Sequence, residues 1–102
     1  MISVVIPTYN EEKNIQLIAK SLVNIKVISE IIFVDDNSID NTTKEIRKIN
    51  SNRIVLIERK KNKDLSKSVY LGVSRSKNNF TLIMDCDLQH DCRYILKMWK
   101  KI

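Results

Sequence analysis

Short β-branched apolar runs alternate along this chain with segments whose apolar residues recur every three or four positions. Residues 2–7 (ISVVIP), 30–35 (EIIFVD), 53–58 (RIVLIE) and 80–84 (FTLIM) read as strands, continuous enough in Ile, Val, Leu and Phe to be buried on both faces. Between the first two, residues 11–24 place Ile15, Ile18, Leu22 and Ile25 on one face of a helix, with Asn10 as the expected N-cap and Glu11 and Glu12 in the first turn. Residues 40–50 predict a shorter helix carrying Ile46 and Ile49, capped by Ser38 or Asp40. Residues 64–77 predict a third, with Leu65, Val69, Gly72, Val73 and Ser76 on one stripe, and residues 91–102 a fourth, with Ile95, Met98, Trp99 and Ile102 inward. Gly72 inside a helix costs about 1 kcal/mol against Ala, which close packing of that helix on a strand would justify.

The order β-α-β-α-β-α-β-α predicts an α/β fold: a parallel, Rossmann-like sheet of four strands alternating with four helices. Right-handed crossovers then gather the strand C-terminal ends along one edge, and ligands bind in the crevice outside that edge. One domain spanning residues 1–102 is expected. The chain stops on apolar Ile102 with no cap, so that domain is expected to be incomplete at its C-terminus.

Composition narrows the chemistry. An apolar fraction of 43% over 102 residues suits one small core. A single Gly and a single Pro argue against a Gly-rich phosphate loop. The net charge of +6 reads mostly as lysine-rich helix surfaces; the one dense run, Arg59-Lys60-Lys61-Asn62-Lys63, contains no aromatic residue, so a stacking nucleic-acid site is not indicated. Cys86 and Cys92 with one histidine do not make a zinc site, and reduced thiols are expected. No run approaches the roughly 20 apolar residues that span a bilayer.

Polar residues accumulate where the strands end. Pro7-Thr8-Tyr9-Asn10-Glu11 follows the first, Asp35-Asp36-Asn37-Ser38 the second, Glu58-Arg59 the third, and Asp85-Cys86-Asp87-Leu88-Gln89-His90-Asp91 the fourth. Two carboxylates one residue apart repel each other, and a divalent cation relieves that repulsion. Oxygen ligands of this kind suit Mg²⁺ or Mn²⁺, which keep positions open for substrate phosphates. Asp-x-Asp alone is also an ordinary turn and helix-cap pattern. Asp35 or Asp36 could accept from a base edge or ribose hydroxyl, or could cap the next helix; different residues can do each. His90 reads as a surface residue beside this loop, and Ser66 and Ser68 as ordinary helix residues.

In register, the segments VVIPTYNEE (4–12), IIFVDDNSIDNT (31–42) and LIMDCDLQHD (82–91) resemble the successive motifs of family 2 glycosyltransferases with the GT-A fold. The Gln and His after the second Asp are most similar to the polyprenyl (dolichol) phosphate mannosyl- and glucosyltransferase branch. The resemblance covers the whole chain as the N-terminal, donor-binding half. It implies that Pro7, Tyr9 and Glu11 line the nucleotide pocket, that Val34 and Asp36 hold the base, and that Asp85, Cys86 and Asp87 contact the sugar nucleotide. It implies Asp87 and Gln89 as metal ligands, Mg²⁺ or Mn²⁺ as cofactor, a UDP- or GDP-hexose donor, and a polyprenyl-phosphate acceptor. It also implies a cytoplasmic location, with membrane association left to a downstream segment. No catalytic base is assignable. Departures are Asn37, Asn41 and Asp64 at usual glycines, Cys86 at a usual alanine and Cys92 at a usual proline; Asn tolerates left-handed backbone angles and Asp64 can cap a helix.

Three other readings stay open at this stage. Phe33-Val34-Asp35-Asp36-Asn37, with Asp85 49 residues beyond Asp36, looks like the acidic cluster of a phosphoacceptor receiver domain. Against that, a whole βα unit precedes the cluster. A nucleotidylyltransferase would carry a Gly-rich basic loop where Pro7-Thr8-Tyr9 stands. An inactive glycosyltransferase remnant is the third.

Overall fold

A computed structural model of the chain describes residues 1–61 and 63–87 together with Ile95, Lys97 and Lys100. Four strands form one parallel sheet: β1 (Ile2–Thr8), β2 (Ile28–Asp35), β3 (Ile54–Glu58) and β4 (Phe80–Ile83), in the order β3-β2-β1-β4. The three predicted crossover helices are present as α1 (Ile15–Val23), α2 (Thr42–Arg47) and α3 (Leu65–Arg75). The fourth predicted helix, with Met98 and Trp99, lies outside the described residues, although Ile95 is described and is buried in the main core.

The layers follow from the apolar alternation of the strands. Ile2, Val4, Ile6, Ile31 and Phe33 face Ile15, Ile18, Leu22 and Ile46 of α1 and α2. Val5, Ile32 and Val34 face the other way, toward α3. The chain steps from β1 to β2 to β3 on one side, then α3 carries it back across the opposite face to β4. Right-handed crossovers require this change of face when the direction reverses. The reversal beside β1 opens a crevice at the C-terminal ends of β1 and β4.

Gly72 explains how α3 sits so near the sheet. A Cβ built on it would lie 2.4 Å from Val5 Cγ1 and 3.0 Å from Val34 Cγ2, inside van der Waals contact. The predicted inward stripe of α3 is rotated, however. Ser68 and Gly72 are its buried residues, while Leu65 and Val73 are exposed. Small residues face the sheet at the closest approach, Leu71 packs beside them against Val5, Ile32 and Val34, and Leu65 and Val73 turn outward.

Two cap assignments also change. Asn10 is not the N-cap of α1; the helix starts later, after Asn14, because Asn10 takes a left-handed backbone with φ of 53°. Its main-chain N–H donates to Ser38 Oγ at 2.8 Å and its side-chain oxygen accepts from Ile39 N at 3.0 Å. Ser38 is thus engaged with Asn10 and Asp35 and does not cap α2; nor is Asp40 the N-cap, which is Asn41, although Asp40 Oδ1 accepts from Thr42 N at 2.9 Å. Asn37 uses the left-handed region, with φ of 64°, but Asn41, at φ of −89°, does not. Asp64 caps α3 as expected, accepting from Lys67 N at 3.1 Å.

Candidate functional site

The C-terminal edge of the sheet is built from hydrogen bonds between segments far apart in sequence. The loop after β1 is clipped to the loop after β2 by the Asn10–Ser38 and Asn10–Ile39 bonds and by Glu11 N donating to Thr42 Oγ1 at 2.8 Å. Beneath them, Asp35 is saturated from within: Oδ1 accepts from Thr8 Oγ1 at 2.8 Å and Ser38 Oγ at 2.6 Å, and Oδ2 from Ser38 N at 2.9 Å. Of the two adjacent aspartates, Asp35 therefore holds the loops.

Asp36 is turned differently. It is 3% exposed and lines an open cleft of about 340 Å³. Arg59, at the end of β3, donates to its Oδ1 in a buried ion pair, and Asp64 N donates to its Oδ2 at 2.7 Å. The same guanidinium reaches Asp64 O at 3.1 Å and Ser68 Oγ at 3.2 Å. Asp36 thereby ties the end of β2 to both ends of the basic segment 59–64.

The same cleft is lined by Pro7, Tyr9 and Glu11 from the β1 end and by Asp85, Cys86 and Asp87 from the β4 end. Carboxylates from separate βα crossovers thus converge on one cavity. Met84 N still donates to Val5 O at 3.0 Å, so the acidic turn begins one residue beyond the sheet pairing and is held against β1. Val34 is fully buried under α3, and its side chain does not reach the cleft. Gln89 and His90 lie outside the described residues. Four lining residues had no assigned site role in the sequence reading: Thr8, Lys63, Leu65 and Ser68. Ser68 is fully buried, and the signal for it was the need for a small residue facing Gly72's side of the sheet.

Cys86 is 2% exposed, and its thiol is pushed up to about 12 by burial, with the charges of Glu11 and Asp87 adding to the shift. At neutral pH it is a protonated spacer between the two aspartates rather than a nucleophile or soft metal ligand.

Asp87 Oδ1 is buried and has no hydrogen-bond partner among the described residues, an arrangement that costs free energy unless a cation or donor arrives. Among the described residues, no three Asp, Glu, His or Cys side chains converge tightly enough to hold a metal by themselves. That donor set fits a cation such as Mg²⁺, which takes one or two carboxylates and completes its shell with water and substrate phosphates.

The chain matches, over residues 3–102, the family described as Glycosyl transferase family 2. It is 36% identical over 104 residues to a dolichol-phosphate mannosyltransferase of Pyrococcus furiosus, an alignment that covers 99% of this chain and 30% of that protein. Its fold superposes with a TM-score of 0.82 on S. aureus TarS 1–349 in complex with UDP-GlcNAc, at 25% identity, covering 97% of this chain and 30% of that one. The mannosyltransferase PcManGT from Pyrobaculum calidifontis, solved with GDP-Man and Mn²⁺, shares the fold with a TM-score of 0.77 at 20% identity, over 84% of this chain and 27% of that one. The chain therefore spans about a third of the length of these relatives. The match includes the first βα unit, which the receiver-domain reading left unexplained, and Pro7, Tyr9 and Glu11 of that unit line the cleft. The chain belongs to glycosyl transferase family 2.

Proposed function

We propose that this chain is the donor-binding part of a hexosyltransferase that uses a nucleotide sugar, UDP- or GDP-linked, and a polyprenyl-phosphate acceptor. The observation that carries the reading is the shared cleft of Asp36, Asp85 and Asp87, with one buried carboxylate oxygen left without a partner among the described residues. The relationship to the dolichol-phosphate mannosyltransferase supports the acceptor class, and the TarS complex supports a nucleotide sugar as donor.

In this reading the nucleoside lies between Tyr9 and Asp36, and its diphosphate points toward Asp85 and Asp87. Asp87 would hold a divalent cation through the carboxylate that lines the cleft, with Gln89 as the second ligand that the resemblance implies. Bound there, the cation neutralises charge on the leaving diphosphate. An acceptor phosphate oxygen attacks the anomeric carbon from the face opposite the diphosphate. The bond from that carbon to the diphosphate oxygen breaks, and the nucleoside diphosphate leaves with the electron pair, inverting the centre. The acceptor is already an anion, so the step needs no strong base from this chain. The Arg59–Asp36 pair and the hydrogen bonds that clip the loops after β1 and β2 together support the base-side wall.

The test is calorimetric titration of UDP- and GDP-hexoses with and without Mn²⁺. Metal-dependent binding to one of them, with little or no turnover by the 102-residue chain, is the expected outcome. Asp87→Asn should weaken the metal-dependent part by about tenfold or more, since one charged ligand is lost, without lowering folding stability. Binding that ignores both metal and Asp87 would remove the reading.

A further inference from the structure

Lys63 is the one basic residue among those lining the cleft, within the described residues. Its ammonium sits over the ring of Tyr9, 4.1 Å from the centroid. Tyr9 is 38% exposed and lines the cleft, with the Lys63 ammonium covering its ring. Lys63 is not placed there by chance of a loose surface chain. The next residue donates its main-chain N–H to buried Asp36 at 2.7 Å and caps α3 through its side chain. Arg59, four residues earlier, is fixed on the same aspartate. The segment is thus pinned on both sides, and its one cleft-lining cation is delivered to the tyrosine.

The charges of the cleft give this position a use. Glu11, Asp36, Asp85 and Asp87 are all acidic, and Arg59 pairs with Asp36. A divalent cation offsets roughly the Asp85–Asp87 pair and leaves little positive charge for an incoming diphosphate. The Lys63 ammonium at the cleft wall is positioned to supply it. A cation over an exposed aromatic ring is held weakly, so a phosphate anion displaces it readily.

We infer that Lys63 is a two-position specificity residue: it covers the Tyr9 ring in the empty cleft and moves to the donor's diphosphate on binding, uncovering the ring for the nucleobase. This rests on the nucleotide-sugar reading and deepens it. The residue makes the site select nucleoside diphosphates over bare nucleosides, because only the diphosphate draws the ammonium off the ring.

The experiment is NMR titration of the parent chain, Lys63→Met and Lys63→Arg with uridine, guanosine, UDP and GDP in the presence of Mg²⁺, at two salt concentrations. Lys63→Met should lower affinity for the preferred diphosphate by about fivefold to tenfold and flatten its salt dependence, as expected for a lost charge-assisted contact. Its nucleoside affinity should be unchanged or slightly raised, and Lys63→Arg should restore the diphosphate preference. If the parent chain binds diphosphate but Lys63→Met weakens nucleoside and diphosphate equally, or neither, the inference is overturned while the donor-site reading stands. If the parent chain binds no nucleoside diphosphate, both fall together. Unchanged amide spectra of the variants show that the fold is intact, as expected for an exposed side chain.

Discussion

Two buried carboxylates mark opposite ends of strand β2, and they have opposite fates. Glu30, near its start, is 5% exposed and closed into a local network: Ser3 Oγ donates to it at 2.6 Å, Lys77 N donates to the same oxygen, and Asn78 bridges Ser3 and Ser29. Asp36, just past its end, is equally buried, yet it borders an open cleft and has a guanidinium as partner. Both satisfy main-chain N–H groups that follow or precede α3: Lys77 N at one end and Asp64 N at the other. The lesson is that a buried carboxylate does not by itself mark a site. The difference lies in what surrounds it: neutral donors that close on each other at Glu30, and at Asp36 a cleft shared with further acids.

Removing each carboxylate should separate the two ends. Asp36→Ala removes the carboxylate that pairs with the Arg59 guanidinium, and we expect a stability loss of about 3 kcal/mol in urea unfolding, the low end of the range for broken buried pairs because Arg59 retains some access to water and its bonds to Asp64 O and Ser68 Oγ. Nucleotide binding should be lost with it. A double replacement, Asp36→Leu with Arg59→Met, should recover much of the stability and none of the binding. Glu30→Ala should cost about 1–3 kcal/mol through unsatisfied donors and leave nucleotide affinity unchanged. Equal effects of Glu30→Ala and Asp36→Ala on binding would erase the distinction.

The glycine between the ends tests how α3 transmits it. Gly72→Ala drives a Cβ into Val5 and Val34, an overpacking cost of about 1–3 kcal/mol, offset by about 1 kcal/mol of gained helix propensity. Net destabilisation of about 1 kcal/mol is expected by urea unfolding. If α3 is displaced from the sheet, nucleotide affinity should fall beyond what the folded fraction explains.

The smallest effect belongs to Cys86. Its thiol is raised from 9.0 to about 12 in the folded chain. The folded state thus holds the proton more tightly, so the contribution is fully present below pH 9.0 and is lost as pH rises toward about 12. Cys86→Ala should therefore show a shallower loss of stability than the parent across that alkaline window and no difference in slope near neutrality. Lysine and tyrosine titrations are common to both proteins and cancel in the comparison.

What the sequence determined by itself is the α/β alternation, the parallel sheet and the edge at which chemistry collects. Those follow from local periodicity: β-branched runs that must be buried on both faces, and helices whose apolar residues recur on one side. The acidic turn at Asp85-Cys86-Asp87 and the Asp64 cap were legible for the same local reason. Tertiary structure alone decided which of two adjacent aspartates is a scaffold and which faces the cleft. Asp35 is saturated by Thr8 and Ser38, and Asp36 by Arg59 and Asp64, through contacts that cross 23 to 28 residues as well as the local turn. It decided the left-handed turn at Asn10, the rotation of α3 onto its small residues and the placement of Lys63 on Tyr9. Each of these depends on which partners reach a polar atom in three dimensions, and hydrogen bonds between loops leave no period in the chain from which they could be read.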